Sequence, residues 1–259
     1  MPELPEVETL RLQLQGTVSG DVIRKFAVLD SRIGDPGNLA GRKIVSVGRQ
    51  GKALLIHLDN DAFLTLHLRM TGSLLWQGIA SPLLPHTRFT ASFAAGRLDC
   101  IDPRRFATLV YCDGAPAGTP AIDPLGQGSA HQLLDLARNR RLPVKSFLLD
   151  QRCIAGIGNI YACEILHAAA VNPQRMTCSL SIHEWRSIAQ ATGSILSRAI
   201  DCRGTTVSDW RDLFGKKGDY QNELAVYARE GKSCPRCRCT ILRLRLHGRG
   251  TYFCPSCQK

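Results

Sequence analysis

Four cysteines near the C-terminus, Cys234, Cys237, Cys254 and Cys257, form two C-x2-C pairs with sixteen residues between them. Thiolates two residues apart on a tight turn converge on one soft cation, and a second such pair completes a tetrahedral four-sulfur site of the zinc-ribbon type. Cysteine fills all four positions, so water or substrate has no coordination site. The expected cofactor is therefore one structural Zn2+. The surrounding segment is basic, with eight Lys and Arg against the single acid Glu230 between Arg229 and Lys259. A ribbon this short folds around its metal, and its charge suits contact with phosphates. The other seven cysteines, Cys100, Cys112, Cys153, Cys163, Cys178, Cys202 and Cys239, read as small core or surface residues with no histidine-paired nucleophile among them.

The same bias runs through the whole chain. Among 259 residues, 33 Lys and Arg stand against 22 Asp and Glu, a net charge of +11, with an isoelectric point near 9.3. Neutralising nucleic-acid phosphate is the usual use of such a surplus. No run of about 18 apolar residues occurs, so no membrane span is expected. The start, Met1-Pro2-Glu3-Leu4-Pro5-Glu6, is acidic and proline-bearing, unlike a secretory signal or a transit peptide. Eleven cysteines without such a signal point to reduced thiols and a cytoplasmic, nucleoid-associated setting.

These residues need elements to hold them. A first helix is expected from Pro5, with Val7, Leu10 and Leu14 on one face, Glu6 and Glu8 as solvated acids at its positive end, and Gly16 as its stop. Ile44–Val47, Ala53–Leu58 and Phe63–Leu68 read as strands, the last two joined by a turn at Asp59-Asn60-Asp61. Short strands at this spacing from about residue 20 to 112 indicate a β-sandwich or barrel-like domain. The Gly- and Pro-rich stretch from Asp113 to Ala130 reads as a linker. Helical patterns follow. Ser129 is a candidate cap for a helix carrying Leu133, Leu134, Leu136 and Ala137. Ser181 and Glu184 form an S-x-x-E capping box before a helix to about Ala199. Between them, 145–151 and 160–169 read as short helices joined by Ala155-Gly156-Ile157-Gly158-Asn159.

The chain resembles the formamidopyrimidine-DNA glycosylase/endonuclease VIII family over nearly its whole length. The resemblance rests on Pro2-Glu3-Leu4-Pro5-Glu6-Val7-Glu8-Thr9, His67-Leu68-Arg69-Met70-Thr71-Gly72-Ser73-Leu74, Asp102-Pro103-Arg104-Arg105-Phe106, Gly156-Ile157-Gly158-Asn159-Ile160-Tyr161-Ala162 and the terminal ribbon. The opening motif is closer to the formamidopyrimidine branch. The resemblance implies an α+β fold: an N-terminal catalytic β-sandwich with an N-terminal helix (1–113), a linker (114–130), a helical helix-two-turn-helix domain (131–224) and a four-cysteine zinc-ribbon finger (225–259).

It also implies a bifunctional glycosylase/AP lyase of base excision repair that acts as a monomer on damaged double-stranded DNA and excises oxidised purines. The same chemistry on oxidised pyrimidines is one alternative; a non-enzymatic zinc-ribbon DNA-binding protein is another. Pro2, exposed once Met1 is removed, is then the nucleophile on the sugar C1′. An α-amine has an ordinary pKa near 8, about two units below lysine, and a secondary amine gives a permanently cationic iminium that draws electrons for β- and δ-elimination. Glu3 is the proton shuttle to the opening sugar, and Glu6 lies near the flipped base. Lys52, Asn159 and Arg249 match phosphate-binding positions, with Arg249 expected at the ribbon's hairpin tip. Asn159 also suits a helix cap, and His67 suits either phosphate contact or a buried sheet position. Met70, Arg104 and Phe106 match residues that fill the gap left by the flipped base, though Arg105 is not separable from Arg104 by sequence. The loop 213–220 corresponds to a mobile base-capping lid whose backbone amides read the base. Phe214-Gly215, Lys217 and Ala228, where a glycine is usual, depart from the commonest form of the purine-specific branch.

Overall fold

The structure is a computed structural model. It describes residues 2–117, 121–126, 129–138 and 140–259, with 129–131 and 138 described by backbone alone. The chain divides into two compact units: Met1–Gly118 with Cys202–Gln221, and Thr119–Asp201 with Asn222–Lys259.

The first unit begins with α1 (Leu4–Val18), whose Val7, Leu10, Leu14 and Val18 are buried in the unit's core. The helix runs past Gly16, the expected stop. Burying Val18 offsets the roughly 1 kcal/mol that a glycine costs inside a helix. Glu3 occupies the N-cap position and Pro5 the first turn, where its missing N–H costs no hydrogen bond.

Eight strands follow: β1 (Lys25–Val28), β2 (Ile44–Gln50), β3 (Ala53–Leu58), β4 (Ala62–His67), β5 (Ser73–Gln77), β6 (Thr87–Ser92), β7 (Arg97–Ile101) and β8 (Thr108–Asp113). They form two four-stranded sheets, ordered β1-β6-β7-β5 and β2-β3-β4-β8, with every pairing antiparallel. Alternate residues of β3 and β4 point inward, as the period of a strand requires. Leu54, Ile56 and Leu66 of one sheet share a core with Leu74, Phe89 and Leu98 of the other. This is the expected sandwich. Residues 202–221 cluster with this unit and not with the helix before them, and Leu213 is fully buried in its core.

In the second unit, α2 (Ser129–Arg138), α3 (Val144–Leu149), α4 (Asn159–Ala168) and α5 (Ile182–Asp201) precede a hairpin of β9 (Leu242–Leu246) and β10 (Arg249–Phe253). The capping box before α5 is formed: Ser181 N–H donates to Glu184 Oε2 at 2.7 Å and Glu184 N–H to Ser181 Oγ at 3.3 Å. The cap proposed for Ser129 lies outside the described side chains. The linker stretch is described only in part. Within it, Ile122 is tied on both sides, its N–H donating to Cys153 O and its carbonyl accepting from Ala155 N–H. The α3–α4 connection is cross-braced by Gln151, which accepts from Gly156 N–H and donates to Ile157 O. Among the described residues, no helix is long and apolar enough to cross a membrane.

Candidate active site and nucleic-acid interface

In the first unit, Pro2 and Glu3 are both buried at the start of α1. Glu3 N–H donates to Glu6 Oε2 at 2.8 Å, and Glu6 Oε1 accepts from Thr205 N–H at 2.7 Å. Glu6 is therefore no solvated acid; it joins the first turn of α1 to the segment at 205. Gly204 makes room for it, because a Cβ there would lie 2.7 Å from Glu6 Oε1. Glu8 is also engaged, accepting from Arg11 Nε at 2.7 Å and Arg49 Nε at 2.8 Å. Burial pushes its carboxyl up, but those two arginines outweigh burial and hold it below its ordinary value.

Arg49 also donates to Gly51 O at 3.0 Å. That bond connects the first helix to the two-residue turn Gly51-Lys52 between β2 and β3, closed by the Gln50–Ala53 pair. Lys52 thus stands at one end of the β2-β3-β4-β8 sheet. At the same end, His67 closes β4 and pairs with both Ala53 and Thr108. Its Nδ1 accepts from Arg69 N–H at 3.0 Å. Burial, with Arg69 and Lys52 nearby, lowers its pKa to about 4, so the ring is neutral near pH 7.

The turns at this end carry the three residues matched to gap filling. Met70 and Phe106 are 47% and 45% exposed, unlike the core residues that isolated Met and Phe usually are. The Arg104 guanidinium carbon lies 4.6 Å above the Phe106 ring, and its Nη1 is 3.6 Å from Met70 Sδ. Arg105 is committed elsewhere, donating twice to Asp30 at 2.7 and 2.9 Å. It is Arg104 that joins Met70 and Phe106.

The segment matched to a capping lid is anchored at its tip. Leu213 N–H donates to Gln13 Oε1 at 3.0 Å, and Trp76 N–H donates to Leu213 O at 2.7 Å. Asp212, 1% exposed, accepts from Phe214 N–H, Lys216 N–H and Gln13 Nε2. Gly218 N–H goes to Thr206 Oγ1, and the N–H groups of Asp219 and Tyr220 go to Cys202 O and Gly204 O. In this conformation these amides bond within the unit. Phe214 remains 51% exposed at the tip.

In the second unit, Asn159 is the first residue of α4, with Gly158 as its N-cap. The capping role expected of Asn159 is not used. Its side chain is instead fixed: Oδ1 accepts from Lys145 Nζ at 2.6 Å and Nδ2 donates to Gly250 O at 3.0 Å. Lys145, 1% exposed, also donates to Gly250 O and to Thr251 Oγ1. Arg249 follows the turn His247-Gly248 and begins β10, so it flanks the hairpin tip. Asn159 and Arg249 are thereby brought to the same place. Lys145 is a residue that sequence reasoning missed; the available signal was a lysine inside the apolar run Val144–Leu149.

The four ribbon cysteines converge as expected, with all sulfurs within 4.8 Å of one another. Cys234 Sγ lies 3.8 Å from Cys257 Sγ and Cys237 Sγ 3.4 Å from Cys254 Sγ. Zn–S bonds of about 2.3 Å in a tetrahedron set the sulfurs about 3.8 Å apart, so the donor set fits one structural zinc ion. His167 Nε2 lies 3.4 Å from Cys234 Sγ, the kind of outer contact that orients a ligand.

Three family sequence models match: the formamidopyrimidine-DNA glycosylase N-terminal domain over 1–109, its H2TH domain over 121–210, and the zinc finger found in FPG and IleRS over 231–259. The chain belongs to the formamidopyrimidine-DNA glycosylase family. Relatives of that name from Pelotomaculum thermopropionicum and Heliobacterium modesticaldum are 41% and 40% identical, covering the whole chain and 99% and 100% of the relative. Among solved members, the Fpg protein of Thermus thermophilus matches with TM-score 0.90 at 37% identity, covering 99% of this chain and 98% of that one. A Lactococcus lactis Fpg variant bound to Fapy-dG-containing DNA matches with TM-score 0.90 at 30% identity over the full length of both chains. A further Lactococcus lactis structure, with oxidised-pyrimidine-containing DNA, matches with TM-score 0.88 at 30% identity over both full lengths.

Proposed function

We infer that the protein is a bifunctional DNA glycosylase/AP lyase of base excision repair that removes oxidised purines and uses Pro2 as its nucleophile. The observation that carries this reading is the buried Pro2-Glu3 pair at the head of α1, anchored through Glu6 to Thr205. An enzyme acting on a stacked base must extrude it and fill the gap. The exposed cluster of Met70, Arg104 and Phe106 supports that step. Lys52 suits the phosphate beside the lesion, His67 adds a neutral ring to that phosphate contact, and Asn159 with Arg249 suits neighbouring backbone. The ribbon, with one structural zinc, supports their grip.

The chemistry follows from the groups. The Pro2 nitrogen lone pair bonds to C1′ while the bond from C1′ to the base breaks, and the base departs with that electron pair and takes up a proton. Glu3 delivers a proton to the sugar ring oxygen as the ring opens, leaving a Pro2 iminium. Loss of a C2′ proton turns the iminium into an enamine, and return of the nitrogen lone pair restores the iminium, forms a C2′–C3′ double bond and expels the 3′ phosphate. Loss of the C4′ proton then expels the 5′ phosphate, and water hydrolyses the iminium to free Pro2. One chain carries every group named, so the proposed working form is a monomer.

A second reading, action on oxidised pyrimidines, is favoured by one observation: the amides named in the capping segment are taken up by bonds within the unit, which leaves those donors unavailable to a purine edge. Duplexes carrying 8-oxoguanine, formamidopyrimidine or thymine glycol separate the two. Faster nicking of the first two supports the purine reading, and faster nicking of thymine glycol replaces it with the pyrimidine reading. Binding without nicking of any overturns both.

A further inference from the structure

The three gap-filling side chains project from two separate turns, and each is about half-exposed or more. Wedging a base step open costs a few kcal/mol, which pushes back on whatever is inserted. Side chains on unbraced turns would yield. The brace is Asp102, which is 0% exposed. Its Oδ1 accepts from Thr71 Oγ1, in the turn carrying Met70, and from Arg104 N–H at 3.2 Å. Its Oδ2 accepts from Phe106 N–H at 2.6 Å and Ala107 N–H at 2.7 Å. An ionised carboxylate has about four acceptor sites and no donor, so this set saturates it. The backbone of Asp102 is held as well, its N–H donating to His86 O at 3.0 Å and its carbonyl accepting from Arg88 Nε at 2.8 Å.

We propose that Asp102 is a positioning residue that, through Thr71, yokes the Met70 turn and the Arg104–Phe106 loop into one rigid wedge. The Met70 turn is already tight. Gly72 N–H donates to Leu68 O at 3.0 Å, and a Cβ on Gly72 would meet that oxygen at 2.4 Å. Such a turn pivots as a body unless tied at its side, and Thr71 Oγ1 is a side-chain tie to the other loop. A buried carboxylate is costly when unsatisfied, so its presence here fits a job of collecting donors from two segments. Asparagine in its place would turn a donor toward donors.

The proposal rests on the gap-filling reading of Met70, and the test separates the two. Full-length Thr71→Val, Thr71→Ser, Met70→Ala, the Thr71→Val/Met70→Ala double variant and the parent protein are compared under single turnover on two substrates. One is an 8-oxoguanine·cytosine duplex; the other is single-stranded DNA with a ready-made abasic site, which needs no wedge. Thr71→Val is expected to slow excision from the duplex roughly tenfold or more, the worth of one hydrogen bond to a charged group. It should leave strand cleavage at the abasic site within about twofold, Thr71→Ser should restore the duplex rate, and the loss should not add to that of Met70→Ala. Equal losses on both substrates, or a parental duplex rate while Met70→Ala is slow, overturn the positioning role alone. A parental duplex rate for Met70→Ala overturns the gap-filling reading and this proposal with it.

Discussion

The sandwich unit and the zinc ribbon both present a few polar side chains on fixed backbone, and they fix it by opposite means. In the sandwich, buried carboxylates gather backbone amides: Glu6 takes Glu3 and Thr205, Asp102 takes Arg104, Phe106 and Ala107, and Asp212 takes Phe214 and Lys216. Each rests on a broad apolar core drawn from two sheets and α1. The ribbon has only a small core, in which Val226 and Ile241 sit with Cys163, Cys234 and Cys254. One carboxylate, Glu164, gathers the N–H groups of Ala225, Val226 and Tyr227 at its root. Beyond that, and the bonds from Lys145 and Asn159 to Gly250 and Thr251, the ribbon depends on its four sulfurs. Damage to the sandwich loops should therefore stay local, whereas damage to the ribbon should spread through it.

The largest effect should come from breaking the ribbon. A structural zinc supplies folding free energy on the order of 10 kcal/mol, so Cys237→Ser or chelation should unfold the ribbon and abolish DNA binding in a titration. Unchanged affinity after metal analysis confirms zinc loss would break the contrast.

A smaller, pH-dependent effect belongs to the sandwich. His67 titrates at about 4 in the fold, against about 6.5 in an unfolded chain. Between these values the unfolded state binds more protons, so stability rises with pH there and is lost as pH falls through about 4. Thermal melts of His67→Gln should show a shallower fall in Tm from pH 6.5 to 4 than the parent. An identical slope would show that His67 contributes nothing to it.

The smallest sharpens the view of the ribbon's root. Ala228 holds φ at +57°, the left-handed region that costs a non-glycine residue about 1 kcal/mol or more. Ala228→Gly should stabilise the protein by up to about 1 kcal/mol in a denaturant titration, the rest of the relieved strain being returned by the more flexible unfolded chain. A destabilised variant would contradict strain at that position.

Much of this was legible where physics is local. Short apolar runs on either side of the Asp59-Asn60-Asp61 turn marked β3 and β4, the Ser181-x-x-Glu184 box marked α5, and cysteine spacing marked the ribbon. Gly16 misled because the burial of Val18, which decides where α1 ends, is tertiary. The same reason hid the return of Leu213 to the sandwich core and the roles of Asp102 and Asp212, whose partners are backbone amides in loops. Arg104 and Arg105 are alike in sequence; only the distant Asp30 claims one of them. Lys145 went unmarked because the Asn159 and Gly250 it joins are 14 and 105 residues away.

The central claim, that the amine of Pro2 forms a covalent bond to the damaged sugar, is tested most directly by borohydride reduction during reaction with an 8-oxoguanine duplex. The parent protein should be trapped as a stable protein–DNA adduct mapping to Pro2, and Pro2→Gly, properly processed at its N-terminus, should give sharply less. Full trapping by Pro2→Gly, or an adduct mapping to a lysine side chain, would contradict the account.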